Sequence, residues 1–151
     1  MKKIIKITAL FLMVFTLFSF SKPNVNEETY SLTVQVEGLK NSKGVVQFSL
    51  YNQEKSIPDE KYKKYYLQMV GEIENGVSSI TFKNLPKGRY AVNILHDEDE
   101  NGKIKKGWIF PIEGIGFSNF TSIGFRNRPN FSKASFEVNT DMTKKVKVIY
   151  M

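Results

Sequence analysis

The sequence predicts an all-β fold, a single seven-stranded sandwich with a long loop insert before the last two strands. Apolar residues recur at every second position, and turn residues separate these segments at short intervals. No segment keeps the 3.6-residue period of an amphipathic helix, so an α/β fold would lack its crossover helices. Seven short strands within about 120 residues are typical of a β-sandwich.

The first two predicted strands occupy residues 30–36 and 46–50. Both alternate apolar with polar side chains, which is the pattern of a half-buried strand. Gly38 ends the first strand, and the polar turn at residues 41–44 leads into the second. A short polar link between two such strands predicts an antiparallel hairpin.

The third and fourth strands follow a polar loop at residues 52–64. Residues 65–73 form the third predicted strand, and residues 80–82 mark the fourth. Between them lies the dipeptide Asn75-Gly76. Both residue types accept positive φ, so this pair predicts a tight turn between paired strands.

The last three strands surround the long insert. After a tight turn at residues 84–88, residues 89–96 are almost continuously apolar, which predicts a central strand. The insert spans residues 97–130, is rich in glycine and has little periodicity. Residues 134–138 and 146–150 provide the sixth and seventh predicted strands.

Residues 1–21 have the features of a signal peptide. A short cationic start precedes an apolar core at residues 7–20, and that core is too short for a stable membrane span, which needs about 20 residues. Small residues favour cleavage after Ser21. We therefore expect a flexible N-terminus at residues 22–29, a sandwich domain at residues 30–151, and a periplasmic or secreted location.

Composition excludes several classes of function. The chain has 22 basic and 15 acidic residues, a net charge of +7, and losing the three lysines of the leader lowers this to +4. The lysines are scattered and not clustered on one segment, so we expect no nucleic-acid partner. The absence of cysteine excludes disulfides, lipid anchoring through cysteine and Cys-type zinc sites, and one histidine cannot make a multi-histidine metal centre.

The start of the insert contains the one candidate metal site. Side-chain oxygens at alternate positions, followed by a glycine that permits a sharp turn, are typical of a loop that wraps a hard cation such as calcium. The donors are Asp97, Asp99 and Asn101, then Gly102, with the main-chain carbonyl of Lys103 as a further ligand.

This candidate loop departs from a complete calcium motif. Its twelfth position is Trp108 where a bidentate glutamate is expected, and Lys105 places a cation at the ninth position. Glu113 could supply the missing carboxylate from further along the insert. The alternative is a plain acidic turn, because Asp, Asn and Gly also favour turns without a metal.

His96 precedes the acidic run and is the only histidine. It could be charged and paired with Asp97 or Glu113, or act as a metal ligand or general base, but a hydrogen-bonded structural role at a strand end is favoured. No serine lies in a nucleophile turn. We therefore assign no catalytic residue and keep His96, Asp97 and Glu113 as weak candidates for a small hydrolase.

The insert is rich in aromatic residues. They could form an exposed binding platform, for which Trp108 and Phe117, with the neighbouring Asn119, are the candidate residues. The favoured alternative is a satellite core that anchors the long loop.

Several strings of residues carry a resemblance to a known family. They are His96-Asp97-x-Asp99-x-Asn101-Gly102-Lys103, Pro111-x-Glu113-Gly114-x-Gly116-Phe117-Ser118-Asn119, Pro129-x-Phe131 with Ala134-x-Phe136, and Leu85-Pro86-x-Gly88-x-Tyr90-Ala91-Val92. Together they resemble the exported bacterial proteins grouped as domain of unknown function 2141. The stretch at residues 82–90 is also similar to immunoglobulin/transthyretin-like and carboxypeptidase-regulatory-like sandwich modules. This resemblance implies an envelope or secreted sandwich without an established activity, whose relatives often carry an acidic residue near the position of Lys105.

The expected function is therefore an exported, non-catalytic β-sandwich module of the bacterial cell envelope. It would bind an envelope protein or glycan or serve a structural role, and calcium is its one candidate cofactor. The alternative is a small hydrolase that uses His96, Asp97 and Glu113. We expect no stable membrane span once the leader is removed.

Overall fold

The computed structural model describes residues 28–105 and 112–151. Its elements are β1 (Thr29–Glu37), β2 (Val45–Tyr51), β3 (Leu67–Gly71), β4 (Ser78–Pro86), β5 (Gly88–Asp97), β6 (Gly114–Phe117), α1 (Phe131–Ala134), β7 (Phe136–Val138) and β8 (Met142–Lys147). Among these residues no helix has the length and apolar character needed to cross a membrane. The predicted leader lies outside the described residues.

The strands form two sheets, which confirms the all-β sandwich. One sheet has the order β4-β1-β8, in which β1 is antiparallel to β4 and parallel to β8. The other has the order β3-β2-β5-β6, and β7 pairs with the first residues of β5 beside β6. A bridge between Ile115 and Ile149 joins the two sheets at the β6 end.

The main core lies between the sheets. Alternate residues of the strands point inward and are fully buried, including Leu32, Val34, Val36, Val46, Phe48, Leu50, Val92 and Ile94. Burying each such side chain contributes about 1.5–3 kcal/mol relative to exposure. This core is the physical basis of the two-residue period in the sequence.

A second core covers the outer face of the five-stranded sheet. It is formed by Tyr51, Ala91, Leu95, Ile115 and Phe117 from the strands and by Ile57, Tyr62, Phe120, Phe131 and Ala134 from the loops and α1. Both faces of β5 are therefore buried, which confirms its predicted central position and explains its continuous apolar character.

The predicted hairpin of β1 with β2 is wrong. These two strands belong to different sheets, so the link between them crosses the sandwich. The turn at Asn75-Gly76 does form, with φ of 51° and 76° and a bridge between Glu74 and Val77. Beyond that bridge β3 and β4 also diverge into different sheets, because each finds its main-chain partners in strands distant in sequence.

The strand count is eight and not seven, because β6 lies inside the predicted loop insert. Gly114 and Gly116 occupy its inward positions, so the strand lacks the apolar alternation that would reveal it. A Cβ at Gly114 would lie 2.4 Å from Val148 Cγ1, and one at Gly116 would lie 2.4 Å from the Lys147 carbonyl. Glycine is thus required because the chain after β8 packs directly on β6.

The structure also shifts the boundaries of the last two strands. Ala134, the first residue of the sixth predicted strand, is instead the last residue of α1, and the strand itself is β7 at Phe136–Val138. The N-cap of α1, Asn130, accepts a hydrogen bond from the Lys133 backbone N–H. The final strand, predicted at residues 146–150, is β8 at Met142–Lys147. Lys144 occupies the position between Met142 and Val146 in the alternation, so the apolar pattern of this strand is interrupted.

Candidate functional site

Asp97 ends β5 and organises residues 97–105, which we call the acidic loop. Its side chain is 2% exposed and accepts hydrogen bonds from the backbone N–H groups of Asn101 (3.1 Å) and Gly102 (2.7 Å). Gly102 has a φ of 70°, which glycine adopts without steric cost. The loop therefore curls back over the Asp97 carboxylate.

Glu113 provides a second buried carboxylate, also 2% exposed. Its Oε1 accepts the backbone N–H of Glu98 at 3.2 Å, and its Oε2 accepts that of Lys105 at 2.8 Å. Glu113, the residue before β6, is thus hydrogen-bonded to both ends of the acidic loop. The structure brings Glu113 to the loop, as the sequence analysis expected.

Asp99 is the third carboxylate of the group, and it is exposed. It is hydrogen-bonded to the Asn101 amide, and its Oδ2 accepts Lys105 Nζ at 3.2 Å. One oxygen from each of Asp97, Asp99 and Glu113 lies within 4.8 Å of the other two. Calcium binds oxygens at about 2.3–2.6 Å, so ligands of one ion lie up to about 5 Å apart, and this spacing fits.

The other predicted ligands serve the turn itself. The Asn101 side-chain oxygen accepts the backbone N–H of Lys103 at 2.8 Å. This local hydrogen bond is an Asx turn, which stabilises the loop conformation with or without a metal. Trp108, at the twelfth position of the predicted motif and a candidate binding residue, lies outside the described residues.

His96 is fully buried and faces the core between the sheets, away from Asp97. Its Nε2 lies 2.9 Å from the Lys43 carbonyl, and its Nδ1 lies 2.6 Å from the Tyr150 hydroxyl. A carbonyl only accepts, so Nε2 carries the proton in the neutral ring and Nδ1 accepts from Tyr150. The Tyr150 hydroxyl in turn accepts the Lys40 backbone N–H at 3.1 Å.

The expected pairing of His96 with Asp97 or Glu113 does not form. Consecutive strand residues point to opposite faces of a sheet, so His96 and Asp97 are directed apart. Both ring nitrogens of His96 are already hydrogen-bonded within the protein. This arrangement is that of the structural histidine that the sequence analysis favoured.

Glu98 connects the acidic loop to the turn before β2. Its carboxylate accepts Lys40 Nζ at 2.6 Å and Asn41 Nδ2 at 3.1 Å. The hydrogen bond from Lys40 holds the pKa of Glu98 below its ordinary value, and Asn41 adds to this effect while desolvation opposes it. At Gly44 in the same turn, a Cβ would lie 2.0 Å from the Asp97 carbonyl oxygen.

The candidate binding residues Phe117 and Asn119 have structural contacts. Phe117 is 6% exposed in the second core and lies edge-on to Phe120, with 6.1 Å between the ring centroids. Asn119, with φ of 66°, donates its amide at 3.1–3.2 Å to three carbonyls at the end of α1. Phe117 therefore anchors the insert to the second core. This second core is the satellite core that the sequence analysis favoured over an exposed binding platform.

Sequence analysis missed a buried polar group beneath the 52–64 loop. The Asp59 carboxylate accepts the Lys64 backbone N–H at 2.7 Å and the Tyr51 hydroxyl at 3.3 Å. Burial raises the pKa of both Tyr51 and Tyr62, and the charge of Asp59 raises each further. In sequence, residues 52–64 have the composition of an exposed polar loop, and no periodic pattern indicates that Asp59 is buried.

A family model matches residues 34–147, most of the chain, and it describes an uncharacterized protein conserved in bacteria (DUF2141). The chain belongs to this family. The match begins within β1 and covers the other strands and the acidic loop, and it confirms the resemblance stated from the sequence strings. Searches of curated proteins and of solved structures gave no match.

Proposed function

We propose that this DUF2141 chain is an exported, non-catalytic β-sandwich module of the bacterial cell envelope, stabilised by a calcium ion in the acidic loop. The module would bind an envelope protein or glycan. The observation that carries the calcium proposal is the convergence of Asp97, Asp99 and Glu113. Export is supported by the cationic start and the short apolar segment at residues 7–20.

The convergence has an electrostatic cost that a cation would remove. Two unit charges 4.8 Å apart repel by about 3–4 kcal/mol at an effective dielectric constant of 20. Backbone N–H groups partly compensate Asp97 and Glu113, and the Lys105 ammonium group pairs with the exposed Asp99. A divalent cation among the three oxygens would replace this repulsion by attraction. Calcium suits the group because it prefers oxygen ligands in flexible geometry.

The hydrolase alternative receives less support. Its three candidates, His96, Asp97 and Glu113, do not form one constellation, because His96 faces the opposite side of the sheet. Both ring nitrogens of His96 are already hydrogen-bonded within the protein. A general base needs a free lone pair within reach of substrate.

Thermal unfolding in calcium and in chelator tests the calcium proposal. Extracellular calcium modules have dissociation constants of about 0.1–1 mM, so 10 mM calcium gives about a tenfold to hundredfold excess. The native state should gain about 1.4–2.7 kcal/mol, which raises Tm by roughly 4–16 °C. An equal ionic strength of sodium chloride is the salt control.

Matched variants locate the ion. Asp99→Asn removes one ligand charge from the exposed member of the group and should abolish most of the calcium-dependent rise in Tm. Glu54→Gln removes the same charge from an exposed position elsewhere and should retain the full rise. A Tm that does not change with calcium, or a rise that Asp99→Asn leaves intact, contradicts the proposed site.

Export and partner binding need a separate experiment. The chain should be recovered from the periplasm or medium with Lys22 as its first residue, which N-terminal sequencing would show. A pull-down from the bacterium's own envelope, compared with and without calcium, would then identify the protein or glycan partner. Retention of the intact chain in the cytoplasm would contradict export.

A further inference from the structure

The strand at one end of the five-stranded sheet presents an unusual apolar edge. β3 pairs with β2 alone, so its other edge has no strand partner within residues 28–105 and 112–151. Three residues of β3 and the two residues before it are large, apolar and 37–59% exposed. They are Tyr65, Tyr66, Leu67, Met69 and Val70. We call residues 65–71 the β3 edge.

The β3 edge lacks the usual protection of a free strand. Edge strands are normally guarded by charged side chains, proline or bulges that prevent pairing with another chain. Residues 65–71 contain no charged residue and no proline, and their pairing with β2 has no register shift. At the opposite end of the same sheet, the bridge between Ile115 and Ile149 covers β6. The β3 edge is therefore suited to accept a further strand.

Charges flank the β3 edge with opposite signs. Lys61, Lys63 and Lys64 precede it, whereas Glu72 and Glu74 follow it. An antiparallel copy of the same strand reverses this order, so the lysines of one chain would meet the glutamates of the other. Pairing centred on Gln68 places Lys64 opposite Glu72, and pairing centred on Met69 places it opposite Glu74.

We propose that the β3 edge pairs antiparallel with the β3 edge of a second copy of this chain, so that two five-stranded sheets join into one. A two-fold contact brings the same surface of both copies together, so each charge must face an opposite charge of the other copy. The charge order along residues 61–74 meets this condition whether the pairing is centred on Gln68 or on Met69. Main-chain hydrogen bonds provide the affinity, and the facing apolar side chains are removed from water. The flanking charges select the antiparallel orientation.

Exchange of charges distinguishes this dimer from non-specific association. The full chain, expressed in bacteria so that its N-terminus is processed naturally, should show twice the monomer mass in sedimentation equilibrium. Lys64→Glu alone, and the double variant Glu72→Lys/Glu74→Lys alone, should each weaken dimerisation at least about tenfold through like-charge contacts. An equimolar mixture of the two variants should restore a heterodimer, because every facing pair is then opposite in sign.

Several outcomes would overturn the proposal. They are a monomeric wild-type chain at 100 µM, variants that associate as well as wild type, and a mixture that stays monomeric. Lys147→Glu, a charge reversal at an exposed position of β8 in the other sheet, is the control and should leave the mass unchanged.

Cross-linking locates the contact independently. The chain has no native cysteine, so a single introduced cysteine reports only its own surroundings. Gln68→Cys or Met69→Cys should give a covalent dimer with a short bismaleimide, because residues at the centre of a two-fold pair face their own copies at about 4.5–5.5 Å between Cα atoms. Thr143→Cys, exposed on β8 of the other sheet, should remain monomeric. Equal cross-linking of all three variants would contradict the proposed interface.

Discussion

Replacing Tyr150 by phenylalanine removes one hydroxyl from the contact that joins the end of the chain to β5. That hydroxyl donates to His96 Nδ1 at 2.6 Å and accepts the Lys40 backbone N–H at 3.1 Å. The aromatic ring, which lies edge-on to the imidazole at 6.1 Å between centroids, is retained. The substitution therefore tests the hydrogen bonds without creating a cavity.

The expected cost follows from the burial of His96. Its side chain is fully buried, so Nδ1 would lose its partner without gaining water, and leaving one buried acceptor unpaired costs about 1–3 kcal/mol. The Lys40 N–H is exposed and can donate to water instead, so the loss of its contact with Tyr150 adds little to this cost. For a domain of this size each kcal/mol lowers Tm by about 3–6 °C. Tyr150→Phe should therefore lower Tm by roughly 3–18 °C.

Tyr30→Phe is the matched control. The Tyr30 hydroxyl also makes a side-chain hydrogen bond, to Glu28 at 2.7 Å, but that contact is exposed. Its loss should leave the free energy of unfolding nearly unchanged, because water replaces the lost partner. Urea titration at pH 7 measures both variants. Equal stability of Tyr150→Phe and Tyr30→Phe would refute the buried hydrogen-bond network around His96.

Three further variants test the surroundings of the acidic loop. Gly44→Ala should lower the free energy of unfolding by at least about 2 kcal/mol in urea titration, because φ is 66° and the new Cβ would meet a carbonyl at 2.0 Å; wild-type stability would contradict this. Lys105→Gln should tighten calcium binding several-fold in calorimetry by removing a competing cation, and unchanged affinity would count against the site. Glu98 has a lowered pKa, so its stabilisation is present above the ordinary carboxyl pKa and is lost as pH falls through the lower folded value. The stability difference between wild type and Glu98→Gln should accordingly be largest near pH 7 and shrink as the pH falls below the ordinary carboxyl pKa, and a difference independent of pH would contradict the pKa shift.

The fold class was predictable because the two-residue period reports burial directly. Val34 and Val36 in β1, like Phe48 in β2, are inward residues of half-buried strands, and their spacing alone indicates a sheet. The pairing of strands was not predictable in the same way. A polar turn such as residues 41–44 can close a hairpin or cross between two sheets, and only distant partners decide which occurs.

The glycines of β6 explain why hydrophobic periodicity did not predict the strand that follows Glu113. In β6, the inward positions are Gly114 and Gly116, whose missing side chains make room for the chain after β8. A strand of alternating glycine and apolar residues resembles a flexible loop to a periodicity argument. The same string contains Glu113, Phe117 and Asn119, and each has a structural contact in the folded chain.

The candidate site was partly predictable. The spacing of Asp97, Asp99 and Asn101 indicated a curled acidic loop, and Glu113, named from the sequence as a possible further carboxylate, lies beside Asp97 and Asp99. The opposite orientation of His96 follows from strand alternation once β5 is known to reach Asp97. Its partner Tyr150 lies 54 residues away, and no local pattern relates the two.

Calcium titration by isothermal calorimetry tests the central claim most directly. The wild-type chain should bind one calcium ion with a dissociation constant of about 0.1–1 mM, and Glu54→Gln should behave identically. Asp99→Asn should bind at least about tenfold more weakly, because one of the three converging carboxylate charges is gone. No heat of binding for the folded wild-type chain at 10 mM calcium, or equal affinity in Asp99→Asn, would contradict calcium binding by the acidic loop.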